Sequence, residues 1–256
     1  MRACIFCGEP ATTKEHVFPA WLMRAVADRT KTAHMVLTLG FEQKRPFVQR
    51  GAGLGISVRH LCSECNNVRL SQLETPAKTY LLPMLRDVAM PLDSDAQAII
   101  AAWMVKTVMV CECIARDRAW YSDDERRNFL STLEPPKRTA VWIGRSTHSG
   151  WSLSVSRKVA FGKGWPFKDG IVATFAIDHL VFQVVAVTLQ AGHHYNGTVT
   201  FKSTNVVDPW AQRLFQCWPT RPGAPIWPPA LPATANEEDV EMLARRFEME
   251  PAPVPE

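Results

Sequence analysis

Two Cys-x-x-Cys pairs constrain this chain more than any other feature. The first is Cys4-Ile5-Phe6-Cys7, followed by Gly8; the second is Cys62-Ser63-Glu64-Cys65, followed by Asn66 and Asn67. Each pair offers two thiolates to one ion from a tight knuckle, and four thiolates complete the tetrahedron that Zn²⁺ prefers. Gly8 supplies a permissive backbone where the first knuckle must turn. The expectation is a structural zinc site on Cys4, Cys7, Cys62 and Cys65 that closes the N-terminal part of the chain into a module. A disulfide pair is the alternative, and the lack of a signal-peptide pattern weighs against it.

The remaining composition fits that reading. A hydrophobic share of 46% over 256 residues is enough for a real core. No uninterrupted run of about 18 apolar residues appears, so no membrane partner is expected. Seven cysteines is an odd number with no disulfide framework, which suits a reducing, cytoplasmic setting. Net charge is +4, but it is unevenly spread. Residues 1–92 and 135–235 are basic, whereas 93–134 and 236–256 are acidic. Two basic blocks around an acidic one are compatible with a polyanionic partner, and equally with ordinary surface charge.

The chain divides into four segments. Residues 1–92 hold the metal-site module, including a Gly- and Arg-rich connection from Ala33 to Val58 that reads as loop and short strand. Residues 93–136 are helical. Ile99, Ile100, Trp103, Met104, Thr107, Val108, Cys111 and Ile114 recur at steps of three and four, and Ser94-x-x-Gln97 has capping-box spacing. A second helix is expected to start at Ser122, with Glu125 completing its box, and Pro135-Pro136 stops it. Residues 137–218 change to a period of two. Strands are expected at Ala140–Ile143, Trp151–Val155, Val172–Phe175, Leu180–Val187 and Gly197–Phe201, joined as an antiparallel sheet. Residues 219–256 form a Pro-rich and acidic tail, helical from Glu237 to Phe247. The fold class is therefore α+β.

A closed four-cysteine site has no open position for water, so chemistry must come from residues the metal holds in place. Lys14-Glu15-His16-Val17-Phe18-Pro19 supplies them. A neutral imidazole at His16 can take a proton from water near neutral pH. Glu15 can ligate a hard cation through oxygen, and Asn66 can offer a second oxygen from the helix after the second knuckle. Mg²⁺ or Mn²⁺ between them would stabilise charge developing on a phosphate.

These residues together resemble the zinc-knuckle branch of the HNH endonucleases. The match lies in Cys-x-x-Cys-Gly, then Glu-His-x-x-Pro-x-Trp-Leu, then Leu-Cys-x-x-Cys-Asn, and covers about the first third of the chain. The resemblance implies an N-terminal ββα-metal or treble-clef-like zinc module. It also implies His16 as general base at the end of a strand, and Glu15 and Asn66 as ligands of the catalytic ion. One position departs from the family. Where an asparagine usually stands about five residues before the third cysteine, this chain has Ser57, with Arg59 and His60 nearby. The extension through Ser71, Leu73 and Glu74 resembles a subgroup of HNH-like proteins of about this length.

The expected activity is thus metal-dependent hydrolysis of nucleic acid, with DNA ahead of RNA. Lys14, Arg24, Arg45, Arg50, Arg59 and Arg69 are expected to contact phosphates. The alternative is a non-catalytic zinc module that binds nucleic acid or protein, and Ser57 is its best support. Other residues are weaker candidates. Glu74 lies about two helical turns beyond Asn66 and would either join its face or pair with Arg69 or Lys78. His60 would face the cleft or solvent. His193-His194 reads as a hairpin turn before Tyr195-Asn196-Gly197, not a ligand pair. Trp103, Trp142 and Trp151 read as core, and Trp218 and Trp227 as a more exposed pair among prolines.

Overall fold

The structure is a computed structural model. It describes residues 2–26, 34–37, 47–50, 55–114, 120–147, 151–158, 167–189, 201 and 208–247, with backbone alone over 34–37, 47–50, 151–158, 167–169 and 188–189. The expected strand at Gly197–Phe201, the His193-His194 pair and Arg45 lie outside the described residues or, for Phe201, at their margin.

Alternation in the strand-rich segment decides how the centre of the molecule is built. A five-stranded sheet contains β6 (Thr139–Arg145), β7 (Trp151–Lys158), β8 (Phe167–Ile177), β9 (Leu180–Leu189) and β10 (Leu214–Trp218). Its order is β10-β6-β9-β8-β7, antiparallel throughout. Successive strand side chains point to opposite faces. Val141, Ile143, Ile171, Ala173, Phe175, Phe182 and Val184 therefore enter the main core, while Ala140, Trp142, Val172, Val181 and Val185 enter a second one. Strand β10 was not expected from the sequence. Its five residues sit beside prolines, and their pairing with β6 is long-range. Gly144 is required at that seam, because a Cβ there would lie 2.6 Å from Leu214 Cδ2.

Each face has its own helix. Helix α3 (Ser94–Cys111) packs against β10, β9 and β6 on the main-core side. It is long and apolar enough, by length and composition, to cross a bilayer, but most of it is buried in the protein. Its N-cap is Asp93, whose side chain accepts from Ala96 N at 2.8 Å. The expected Ser94–Gln97 box is therefore displaced by one residue. Gln97 is buried instead, and its amide donates to the Leu92 carbonyl at 2.9 Å. A short 3₁₀ turn (Glu112–Ile114) follows. Helix α4 (Asp123–Thr132) begins with the expected reciprocal box of Ser122 and Glu125. Helix α5 (Glu237–Ala244) covers the second face through Val240 and Leu243, packing on β7 and β8.

The Pro-rich segment is likewise part of the body. Strand β11 (Ile226–Trp227) pairs with β5 (Met90–Pro91), and Trp227 is fully buried, not exposed as expected. Trp103 and Trp142 are core residues as anticipated.

The N-terminal module leans on the same core. Strand β1 (Thr13–His16) pairs antiparallel with β4 (Ser57–Leu61). Helix α1 (Ala20–Val26) follows β1, and β2 (His34–Leu37) pairs with β3 (Phe47–Arg50). After the second knuckle a π-helical turn (Glu64–Arg69) runs into helix α2 (Ser71–Leu85), which packs on α3. Phe6, Val17, Phe18 and Leu22 are buried against that shared core.

Candidate functional site

The four cysteine sulfurs converge. Cys4, Cys7, Cys62 and Cys65 present Sγ atoms all within 4.8 Å of one another, and the Cys7 and Cys62 sulfurs are 3.6 Å apart. Sulfurs around one Zn²⁺ at about 2.3 Å each lie roughly 3.8 Å from one another. A disulfide needs about 2.05 Å, and all seven cysteines are free. The donor set therefore fits a metal such as zinc, and none of the four cysteines is joined in a disulfide.

Local backbone builds the two knuckles. Gly8 adopts φ +84° and donates its amide to the Cys4 carbonyl at 2.9 Å, as its place after the first pair implied. The Cys65 amide points at the Cys62 sulfur at 3.4 Å. Burial acts to raise the Cys4 thiol, but backbone hydrogen bonds to Cys62, Phe6 and Cys7 outweigh it and bring it below its usual value. Burial raises Cys65, and the crowding of Cys7, Cys62 and Cys4 adds to that. Thiolates packed this closely need a cation between them.

Beside the cluster lies a cleft of about 300 Å³, lined among others by Glu15, His16, Asn66, Asn67, Glu74 and Lys106. His16 ends β1 and stands directly across from Ser57 of β4. Glu15, one residue earlier, pairs across from buried Val58. Adjacent residues face opposite ways within a regular strand, but β1 carries a register irregularity between Thr13 and Glu15 and ends at His16, and Glu15 and His16 both line the cleft. The His16 imidazole has no hydrogen-bond partner among the described residues.

Asn66 sits in the π-helical turn, where the Leu70 amide reaches the Cys65 carbonyl at 2.9 Å. Such turns widen the helix by one residue and occur often at functional sites. The Asn66 side chain donates to Thr13 Oγ1 at 3.2 Å, which ties the turn to β1. Asn66 is not a helix N-cap; Ser63 holds that position.

The cleft floor was not foreseen. Lys106, on α3, is almost wholly buried and donates from Nζ to Glu15 Oε1 and to Glu74 Oε1, both at 2.9 Å. Glu74 accepts from Trp21 Nε1 at 2.8 Å through its other oxygen. Burial alone would lower the Lys106 pKa, but Glu74 and Glu15 outweigh it and raise it above the ordinary lysine value. Glu74 thus joins the cleft, not Arg69 or Lys78; Arg69 meets Glu64 at 3.5 Å on the surface. The available sequence signal was a single lysine inside the otherwise uncharged stretch from Gln97 to Cys111, since an unpaired lysine is almost never buried.

The basic candidates fall at several places. Lys14, Arg24, Arg59 and Arg69 are exposed. Arg50 ends β3, where the backbone alone is described. His60 is half-buried at 3.1 Å from Arg2 Nη1, and burial and then Arg2 lower its pKa. Comparison with family models, with curated proteins and with solved structures returned no match to this chain.

Proposed function

We propose that this protein is a metal-dependent endonuclease with an HNH-like, ββα-metal or treble-clef-like N-terminal module. The observation that carries the reading is convergence: Glu15, His16 and Asn66, brought from two distant segments, line one cleft beside the four-cysteine cluster. The order of that module, a β1–β4 pair followed by a helical segment after the second knuckle, supports it as well.

In this reading His16 is the general base. Its imidazole, without a hydrogen-bond partner among the described residues, takes a proton from water as the water oxygen attacks phosphorus, and the P–O bond to the leaving ester oxygen breaks. Ser57 lies opposite on β4, so backbone pairing with a serine position fixes the strand end that the family fixes with asparagine. Glu15, through the carboxylate oxygen not bonded to Lys106, and Asn66, through its amide oxygen, would hold Mg²⁺ or Mn²⁺. Such an ion would supply charge stabilisation for the phosphate and the leaving oxygen. Lys14 and Arg59 are exposed on the paired strands β1 and β4 and guide the nucleic-acid backbone; Arg24, Arg50, Arg69 and Arg45 are further phosphate contacts. Zinc on the four cysteines braces the cleft and takes no part in the reaction.

A plasmid and a single-stranded DNA incubated with the protein and Mg²⁺ or Mn²⁺ should both be assayed beside His16→Ala. Wild type should cut, and the variant should lose on the order of 10²-fold or more in rate, as for a general base. Equal cutting by the two proteins removes His16 from its role. One observation favours a second reading, a non-catalytic zinc module that binds nucleic acid or a protein: one oxygen of Glu15 is already occupied by Lys106. Binding to DNA without cutting under any divalent metal would select it.

A further inference from the structure

Resting on the nuclease reading, we propose that Lys106 is a built-in counter-cation of the cleft, a positioning residue that keeps divalent-ion affinity low until a phosphodiester arrives. Three secondary-structure elements meet at its ammonium. Glu15 comes from β1, Glu74 from α2 and Lys106 from α3, with both N–O distances 2.9 Å. Trp21 of α1 fixes the far oxygen of Glu74. None of the partners is free to swing independently.

The charge count gives the consequence. Two carboxylates against one ammonium leave a single net negative charge at the cleft floor. Tight oxygen sites for divalent ions gather several carboxylates, whereas Mg²⁺ is commonly held by one or two carboxylates together with substrate phosphates. A floor with one net negative charge belongs to the second type. The phosphodiester brings the negative charge and oxygen ligands that the protein withholds, so ion and substrate bind with positive coupling. That coupling is reciprocal, each raising the other's affinity by the same factor.

The Lys106 side chain is 2% exposed, while Glu15 and Glu74 are 16% and 22% exposed. Solvent and ligands therefore reach the carboxylates but not the lysine. Lys106 acts through Glu15 and Glu74 and is not itself a catalytic residue.

Calorimetric titration of the full zinc-loaded chain with Mn²⁺, with and without a short DNA duplex, tests this in a His16→Ala background that prevents turnover. Without Lys106→Met, the duplex should tighten Mn²⁺ binding. With it, Mn²⁺ alone should bind at least about tenfold tighter, since one unit charge at this range shifts ion affinity by one to three decades. The gain from DNA should shrink accordingly. Glu74→Gln should move the opposite way and weaken Mn²⁺ alone. Opposite signs separate charge from damage, because a misfolded variant weakens binding in either case. Zinc content and thermal unfolding monitor folding; if Lys106→Met does not fold, Lys106→Gln, which removes the charge but keeps a hydrogen-bond donor, takes its place and should likewise tighten Mn²⁺ binding. An Mn²⁺ affinity unchanged in either folded variant, or unmoved by DNA in the parent, overturns the proposal. The nuclease reading fails separately, by a cleavage assay that shows no cutting or no His16 dependence.

Discussion

Lys106 and Arg126 are two of the cations buried beside carboxylates among the described residues, and their surroundings differ in one respect. Arg126 of α4 meets Glu112 with both side chains at 5% and 3% exposure. Glu112 also accepts the Trp120 and Tyr121 amides at 2.8 and 3.0 Å. Apart from the exposed Asp123, 3.3 Å from Arg126 Nη1, that node is sealed, and it ties the end of α3 to the start of α4. The Lys106 node has an equally buried cation, but its carboxylates touch the cleft. A sealed pair must find every partner inside the fold, or the desolvation of both ions is uncompensated. An open pair leaves lone pairs for a ligand. The same charge chemistry serves architecture in one place and a site in the other.

The largest expected effect separates the nodes by their supports. Structural zinc contributes roughly 10–16 kcal/mol in small zinc peptides. Chelating the metal should therefore release residues 2–70, with the Lys106 node, while the five-stranded sheet and the Arg126 node persist. Peptide-resolved hydrogen exchange reads this directly, and equal loss of protection in both nodes breaks the comparison. Next, Arg126→Met should cost about 3–5 kcal/mol, the usual result of leaving a buried charge unpaired. Its folded fraction should still cut DNA normally, as urea unfolding and specific activity would show.

Lys106→Met should cost less, about 1–3 kcal/mol, because water reaches the carboxylates it leaves behind. It should lower the cleavage rate in fully folded protein, the reverse of the Arg126 pattern. A pH series sharpens the contrast further. Burial holds Glu112 up at about 7, against the opposing pull of Arg126 and of the Tyr121 and Trp120 amides. A folded value above the unfolded one means that the folded state binds more protons between about 4.5 and 7. This contribution to stability is present below that window and falls as pH rises through it. Urea midpoints should show the fall, and Glu112→Gln should flatten it. Smallest is Ser122→Ala at the exposed start of α4, about 1 kcal/mol for a lost cap, with no change in cleavage.

What the sequence could disclose follows the range of each interaction. The knuckles, Gly8, the Ser122–Glu125 box and the alternation of β6, β8 and β9 are all local patterns, and each appears in the fold. The Asp93 cap was misplaced by one residue because Ser94 and Gln97 imitate a box; burial claims Gln97 instead. Strand β10 and the buried Trp227 were missed because their partners lie far along the chain. Glu15, His16 and Asn66 were legible as candidates through the spacing around the cysteines. Lys106 was not, since it meets Glu15 from 91 residues away and Glu74 from 32. Apolar periodicity does not register the two charged residues, Lys106 and Glu112, that stand among those positions.

The π-helical turn at Glu64–Arg69 gives the cleft a particular vulnerability to insertion and deletion. Such a turn is an α-helical turn carrying one additional residue. Removing one residue between Asn66 and Leu70 would let an ordinary helix form, with every cysteine and Glu74 still present. The knuckle and α2 would then be rotated against one another by about 100°, the angle of one helical residue. Asn66 and Glu74 would no longer share an opening. Descendants of this chain can therefore vary residue types along that turn far more readily than they can vary its length.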